Sequence, residues 1–264
     1  MSVLTAIITH LGPAEVGKQL DYLRSLAPDS DFVLCHGGSR SDFAALPHDR
    51  AVYIEDPSLR GPAKFQSYNE ILRRVYETYV QDEPGVDLVY FIEYDHLILS
   101  PRFEQELESL AERSDAGLFA KCVSPRNDTN CPHFARGRHD ERLNRFFHEI
   151  SQRDDPAVRW GCLGDGMLFR RETLAAVAGV SDPPHGFMEL LIPSLVYHLG
   201  FEIIDVDAIS HLYTGLRWRP EYTLEDALAA KRRGQTFLHP FKDLRGLDLL
   251  WDGSARRETA GVRW

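Results

Sequence analysis

The sequence lacks the patterns that mark several common classes of protein. Its four cysteines, Cys35, Cys122, Cys131 and Cys162, stand singly, so no C-x-x-C pair indicates a structural zinc site. No G-x-G-x-x-G segment follows an apolar run, which argues against a dinucleotide-dependent oxidoreductase. The even number of cysteines permits disulfides without indicating them, and a reduced, cytoplasmic protein is the simpler expectation.

Long apolar runs are missing as well. No stretch approaches the roughly 18–20 apolar residues that cross a bilayer, so we expect no transmembrane segment and at most peripheral contact with a membrane. Residues 1–10 are apolar but lack a basic leader and a small-residue cleavage site. We therefore interpret them as a first strand and not as a signal peptide.

Positive charge is scarce, since 30 lysines and arginines against 40 aspartates and glutamates give a formal net charge of −10. An acidic surface repels phosphate backbones, so we expect no nucleic-acid partner. A small phosphorylated ligand remains compatible, because it needs only a local basic patch or a metal ion. The length of 264 residues suits one α/β domain, since single cores stop growing at roughly 250–300 residues.

The first half of the chain alternates between strand-like and helix-like segments. Apolar periodicity predicts strands at 3–9, 31–35, 51–54, 86–92 and 117–123, and helices at 14–26, 63–80 and 103–111. This order predicts an α/β fold in which helices flank a central, mostly parallel sheet. In the second half we expect a charged segment at 124–160 with a short helix around 143–150, a glycine-punctuated strand at 161–171, helices at 172–178 and up to Tyr197, and a strand at 202–206.

Two carboxylates, Glu93 and Asp95, follow directly on the apolar run 86–92. A run of this kind is typical of a strand that is covered on both faces, and ligands bind beyond the carboxyl ends of such strands. Carboxylates held so close repel each other, and a divalent cation relieves the repulsion. The alternative is that both residues only cap turns.

The segment Glu93-Tyr94-Asp95 resembles the acidic motif of the GT-A family of nucleotide-sugar glycosyltransferases. In that family a D-x-D or E-x-D motif after the central strand binds Mn²⁺ or Mg²⁺, which bridges the donor diphosphate. The resemblance implies a GT-A-like, Rossmann-type sandwich in which Asp95 is the chief metal ligand. Glu93 would contact the donor or join the metal shell.

Later motifs follow in the order that the family shows, so the resemblance covers roughly residues 3–245. Residues 161–171 are similar to a glycine-containing strand beneath the sugars, and Gly200-Phe201 is similar to a later Gly-aromatic strand. His211 and His239 are two candidates for a further metal ligand, and Lys242 would contact the phosphates. The implied division is a donor half at 1–123, an acceptor and catalytic half at 124–245, and a tail at 246–264.

Glu189 lies where inverting members of the family place a catalytic carboxylate, often within an x-E-D motif. Here the residues are Met188-Glu189-Leu190, so the usual acidic neighbour is absent. As general base, Glu189 would take the proton of the acceptor hydroxyl; Asp165 is the second candidate. The competing interpretation is a helix-start acid that complements the helix dipole.

Five residues near predicted strand ends or a helix start would contact the donor if the resemblance holds: Thr9, His10, His36, Asp56 and Lys64. Ordinary turn chemistry explains the same residues. The favoured function is metal-dependent, inverting transfer from a nucleoside-diphosphate-sugar to a hydroxyl. A non-catalytic nucleotide-sugar-binding protein and a sugar nucleotidyltransferase are the alternatives, the latter disfavoured because no glycine-rich loop follows the first strand.

Overall fold

The chain folds around a central sheet, as seen in a computed structural model that describes residues 1–55, 68–126, 135 and 139–250. In chain order its strands are β1 (Val3–Thr9), β2 (Asp31–His36), β3 (Ala51–Tyr53), β4 (Leu88–Glu93), β5 (Leu97–Ile98), β6 (Leu118–Ala120), β7 (Ser124–Pro125), β8 (Trp160–Gly161), β9 (Met167–Arg170), β10 (Ile203–Asp205) and β11 (Phe237–Leu238). Its α-helices are α1 (Pro13–Leu26), α2 (Arg40–Ala44), α3 (Asn69–Val75), α4 (Phe103–Ala111), α5 (Glu141–Ile150), α6 (Arg171–Ala178), α7 (Met188–His198), α8 (Leu224–Arg232) and α9 (Leu247–Leu250).

Among the described residues the central sheet has seven strands in the order β10-β6-β9-β4-β1-β2-β3. All of them run parallel to one another except β9, which is antiparallel to both β4 and β6. The prediction of an α/β fold with a mostly parallel sheet is therefore confirmed. Since β9 lies between β4 and β6, strands from the two predicted halves share one sheet; the functional division between those halves stays a prediction.

Helices cover both faces of this sheet. Side chains alternate between the two faces along a strand, and those of β1 and β4 enter two separate hydrophobic clusters. One cluster contains the apolar residues of α1, α4 and α8, and the other those of α3, α5, α6 and α7. Burial of both faces explains why residues 86–92 are apolar almost without interruption.

The chain reverses its direction of travel across the sheet between β1 and β4. From β1 it moves outward through β2 to β3, and then crosses back to β4 on the other side of β1. Because Ile8 pairs with Glu93 in parallel register, the carboxyl ends of β1 and β4 lie side by side. Such a switch point is where open α/β sheets form their ligand crevice.

Several elements differ from the predicted ones. The strand predicted at 117–123 is only Leu118–Ala120, and Cys122, with φ of 58°, lies in the turn beyond it. Of residues 161–171, only Met167–Arg170 joins the central sheet, since Gly161 pairs with β7. The helix predicted at 63–80 starts at Asn69 within the described residues and ends in a π-turn at Tyr76–Val80.

Helices α2 and α8 and the two-stranded pairs β5–β11 and β7–β8 were not predicted. None of the helices that the structure describes is both long enough and apolar enough to cross a membrane. Of the cysteines in the described ranges, Cys35, Cys122 and Cys162 carry free thiols.

Gly166 and Gly234 form a matched pair that separates backbone strain from crowding. Their φ angles are +76° and +72°, but a Cβ on Gly166 would lie 2.7 Å from Leu216 Cδ1, whereas one on Gly234 would meet nothing within 4 Å. We expect Gly234→Ala to lower the free energy of unfolding by roughly 1–2 kcal/mol. Gly166→Ala should cost roughly 2–5 kcal/mol, because overpacking adds to the strain.

Urea unfolding of both variants beside the wild type measures these free energies. Equal losses for the two substitutions would contradict the packing that places Leu216 against Gly166.

Candidate active site

A cleft of about 420 Å³ opens at the carboxyl end of β4. Its lining comes from five parts of the chain: Glu93 and Asp95 at the end of β4, and residues within 163–165, 187–189, 218–221 and 239–242. The structure therefore brings residues that are far apart in the sequence to the site that the acidic motif predicted.

Three side chains in this cleft are arranged so that they could hold a cation. Glu93, Asp95 and His239 each offer a ligand atom, and these atoms lie within 4.8 Å of one another. His239 Nε2 is 3.4 Å from Asp95 Oδ1, while Nδ1 lies 3.0 Å from the carbonyl oxygen of Arg217. A proton on Nδ1 donates to that oxygen, so Nε2 is the ring atom that faces Asp95.

The chemistry of this triad fits a divalent cation. Asp95 Oδ1 is buried and accepts no hydrogen bond within the described residues, a costly state that a cation relieves. Burial lowers the pKa of His239, but Asp165, Asp95 and Glu93 together raise it to about 10. A proton on His239 thus supplies the positive charge, and a metal ion would compete for the same position. Two carboxylates with one imidazole suit Mn²⁺ better than Mg²⁺.

A short ladder places His239 beside Asp95. Strand β5 starts two residues after Asp95 and β11 ends one residue before His239, and the two strands pair antiparallel with Leu97 opposite Leu238. The backbone N–H of Phe241 donates to the carbonyl oxygen of Asp95 at 2.7 Å. These contacts fix the segment that carries His239 against the acidic motif.

Asp165 has both carboxylate oxygens engaged. Oδ1 accepts the backbone N–H of Glu93 at 2.8 Å, and Oδ2 lies 2.5 Å from His96 Nδ1. Burial raises the pKa of Asp165, but His239 and His96 outweigh it and hold the pKa below its ordinary value. An ionised, fully bonded carboxylate positions its neighbours, so Asp165 does not fit the role of general base that the sequence allowed.

Glu189 lies in the first turn of α7, where it is 9% exposed. The backbone N–H of Gly164 donates to its Oε1 at 3.1 Å. Burial raises the pKa of Glu189 to about 7, although the Gly164 bond and the charges of Arg126 and His239 act to lower it. A carboxylate that titrates near neutral pH is suited to accept a proton during a reaction.

Glu93 is partly buried, and its pKa is also raised. Burial and the charges of Asp95 and Asp165 raise its pKa to about 7, against the lowering effects of His239 and of a hydrogen bond from Tyr68. The Tyr68 hydroxyl donates to Glu93 Oε1 at 2.9 Å. A bound cation would remove the repulsion that keeps this carboxylate partly protonated.

The predicted donor contacts on the β1 side do not line the cleft. Thr9 Oγ1 accepts the backbone N–H of Leu11 at 3.2 Å, and buried His36 lies 3.0 Å from the carbonyl oxygen of Leu11. The ring of His10 packs edge-on against Tyr94 with centroids 4.8 Å apart. Asp56 and Lys64 fall outside the described residues, so the donor contacts remain predictions.

Of the two candidate histidines, the structure brings only His239 to the carboxylates. His211 is exposed and lines a different cleft with Arg113 and Arg233, so the structure does not bring it to Asp95. Lys242 does line the candidate active site, where its Nζ is 2.7 Å from Glu221 Oε1.

Sequence reasoning missed two features of the cleft. The bond between His96 and Asp165 was not predicted, because it forms only in space; the position of His96 directly after the acidic motif was the available signal. The exposed indole of Trp218 also lines the cleft, and nothing in its sequence context marked it.

No family model and no curated protein matches this chain. Solved structures align at low identity. Rv0371c from Mycobacterium tuberculosis H37Rv, in complex with manganese, is 13% identical with a TM-score of 0.40, over 78% of this chain and 87% of that one. S. aureus TarS 1–349 is 14% identical with a TM-score of 0.33, over 66% and 48% of the two chains.

The galactosyltransferase LgtC, in complex with donor and acceptor sugar analogues, is 15% identical with a TM-score of 0.32, over 65% of this chain and 58% of that one. At these TM-scores the likeness carries no argument about function, which rests on the geometry described above.

The raised pKa of Glu189 predicts how stability depends on pH. A carboxyl whose folded-state pKa of about 7 exceeds its ordinary 4.5 stabilises the fold below the ordinary value, and this contribution is lost as the pH rises through the folded value. Relative to Glu189→Gln, the wild type should therefore lose roughly 1.4 kcal/mol of unfolding free energy per pH unit between those limits.

Urea unfolding between pH 4 and about pH 8 measures this difference. Glu202→Gln, which changes a carboxylate whose side chain is 75% exposed, is the control and should follow the wild-type profile. If the difference in unfolding free energy between wild type and Glu189→Gln stays the same at every pH, Glu189 is not desolvated.

Proposed function

We propose that this chain is a metal-dependent GT-A-type glycosyltransferase, which moves a sugar from a nucleoside-diphosphate-sugar to an acceptor hydroxyl with inversion. One observation carries the proposal. A single cleft contains Glu93, Asp95 and His239, whose potential ligand atoms lie within 4.8 Å of one another, and also the buried carboxylate Glu189 with a pKa near neutrality.

The triad would hold Mn²⁺ or Mg²⁺. When bound, such an ion supplies positive charge against the negative charge that develops on a departing diphosphate. Arg219 and Lys242 line the same cleft and bring positive charge to it, that of Lys242 shared with Glu221 at 2.7 Å. These cations suit a ligand that carries phosphate groups.

Glu189 acts as the general base in this proposal. It takes the proton from the acceptor hydroxyl while that oxygen forms a bond to the anomeric carbon of the donor sugar. The bond between that carbon and the diphosphate oxygen breaks, and its electron pair leaves with the nucleoside diphosphate. Attack from the face opposite the leaving group inverts the anomeric configuration.

Asp165 keeps the acidic motif in place during this reaction. Its bonds to the backbone N–H of Glu93 and to His96 Nδ1 leave it no free oxygen for proton transfer. The donor nucleoside would lie in the crevice between the carboxyl ends of β1 and β4, within reach of Thr9 and His10.

Asp95 is the residue whose removal tests the cation site. We expect one of UDP, GDP, CDP and TDP to raise the melting temperature of the wild type in the presence of Mn²⁺, by an amount equivalent to about 2.7 kcal/mol at 100 times its Kd. Asp95→Asn should abolish the Mn²⁺-dependent part of this shift, because it removes a charged ligand without changing the size of the side chain.

Asp21→Asn, which removes an exposed carboxylate on α1, is the matched control for net charge and should keep the full shift. If Asp95→Asn keeps the Mn²⁺-dependent part as well, the residue does not hold the ion.

Replacing Glu189 separates binding from turnover. Glu189→Gln should retain the nucleotide shift with Mn²⁺ but lose donor turnover by roughly 10²–10⁴-fold, because the amide cannot accept the proton. Release of nucleoside diphosphate from matching sugar donors measures turnover, with Glu202→Gln as the control that keeps it. A wild type that shows the nucleotide shift without any release would be the non-catalytic binding protein instead.

A further inference from the structure

One aromatic side chain in the cleft has no part in the mechanism above. Trp218 is 57% exposed, and it lines the cleft with Asp95 and Glu189. An indole that stays in water lacks the stabilisation that burial of its apolar surface would provide. Isolated exposed hydrophobic residues are common on protein surfaces, so the exposure of Trp218 acquires meaning only from its surroundings.

Hydrogen bonds and one cation–π contact brace the turn that presents Trp218. The backbone N–H of Arg217 donates to the carbonyl oxygen of His239 at 3.0 Å, and Arg217 Nε donates to the carbonyl oxygen of Pro220 at 2.7 Å. The guanidinium of Arg217 lies 3.6 Å from the ring centroid of Tyr222. The backbone N–H of Tyr222 donates to the carbonyl oxygen of Pro240 at 2.8 Å. These contacts hold the backbone on both sides of Trp218 at the cleft, which lowers the entropy cost of binding against its side chain.

The cleft lies on the acceptor side of the triad. Apart from the acidic motif, its lining comes from residues next to β9, from the start of α7, and from the segments around Trp218 and His239. Among the residues that the structure describes, none from β1, β2 or β3 lines it, although the crevice expected for the nucleoside lies between β1 and β4. The indole thus shares its cleft with Glu189, and the crevice proposed for the nucleoside lies outside that lining.

We propose that Trp218 is the platform on which a pyranose ring of the acceptor stacks, so that the acceptor is a saccharide. This inference rests on the proposed function. A pyranose offers a face of C–H groups, which pack against the electron-rich face of an aromatic ring. Its rim of hydroxyls needs polar partners, and Arg219 and Glu221 line the same cleft. Glu189 then meets the hydroxyl that attacks.

Saturation-transfer NMR on the full chain tests this with three probes, the methyl β-pyranosides of glucose, galactose and mannose, in Mg²⁺ and the stabilising nucleoside diphosphate. Sorbitol is the comparison probe, since it offers hydroxyls without a ring. We expect at least one pyranoside to bind the wild type and sorbitol not to bind. Trp218→Ala should weaken pyranoside binding at least about tenfold, which corresponds to ~1.4 kcal/mol, and Trp218→Phe should weaken it less.

Leu249→Ala is the matched control, because Leu249 is a 67% exposed apolar residue on α9 and does not line the cleft. It should bind pyranosides as the wild type does. The thermal shift with nucleoside diphosphate and metal is measured on the same samples. Its absence in the wild type would defeat the proposed function, whatever the pyranosides do.

Three results would overturn the inference alone, with the nucleotide shift of the wild type intact. The wild type binds none of the pyranosides; sorbitol binds as well as they do; or Trp218→Ala binds them as tightly as the wild type. A nucleotide shift that disappears in Trp218→Ala while pyranoside binding persists would assign the indole to the nucleobase and would equally overturn it.

Discussion

Compensation of buried negative charge organises the carboxyl end of β4. The carboxylates of Glu93, Asp95 and Asp165 meet there, and each is stabilised differently. Glu93 accepts a hydrogen bond from the Tyr68 hydroxyl. Asp165 is bound on both oxygens, by the backbone of Glu93 and by His96, and is fixed as an anion. Asp95 Oδ1 lies 3.4 Å from His239 Nε2, and a proton on that ring or a metal ion can supply the opposing charge. A proton on His239 and a metal ion can therefore replace each other beside Asp95, whereas the contacts of Asp165 are fixed.

The placement of His239 beside Asp95 depends on a β-ladder with only two residues in each strand. Pairing of β5 with β11 sets His239 next to Asp95, and the N–H of Leu99 continues the pairing by donating to the carbonyl oxygen of Thr236 at 2.8 Å. The backbone at Gly215 lies close to β11, since a Cβ on Gly215 would come 2.0 Å from the carbonyl oxygen of Phe237. Only glycine lets the two segments lie this near, so the cation site depends on backbone contacts remote from its own side chains.

The sequence predicted what periodicity and local contacts determine. The bounds of β1 and α4 agree with the prediction because their apolar spacing is strong and uninterrupted. Strands β5 and β11 have too few residues to show a period. Without their pairing, His211 and His239 could not be distinguished as ligands. The contacts of Asp165 could not be predicted, because His96 and His239, whose charges lower its pKa, are brought to it only by the fold.

Asp165 and Glu189 show how one cleft gives two carboxylates different roles. Both are nearly inaccessible to solvent, yet the pKa of Asp165 is held below its ordinary value by two histidines, while burial raises that of Glu189 to about 7. Of the two, the group that titrates near neutrality is the better suited to the acid–base role in the proposed function. It also explains why Leu190 can stand where an acidic neighbour was expected. A second carboxylate beside Glu189 would raise its pKa further, so an acidic residue at position 190 is not needed for a pKa near neutrality.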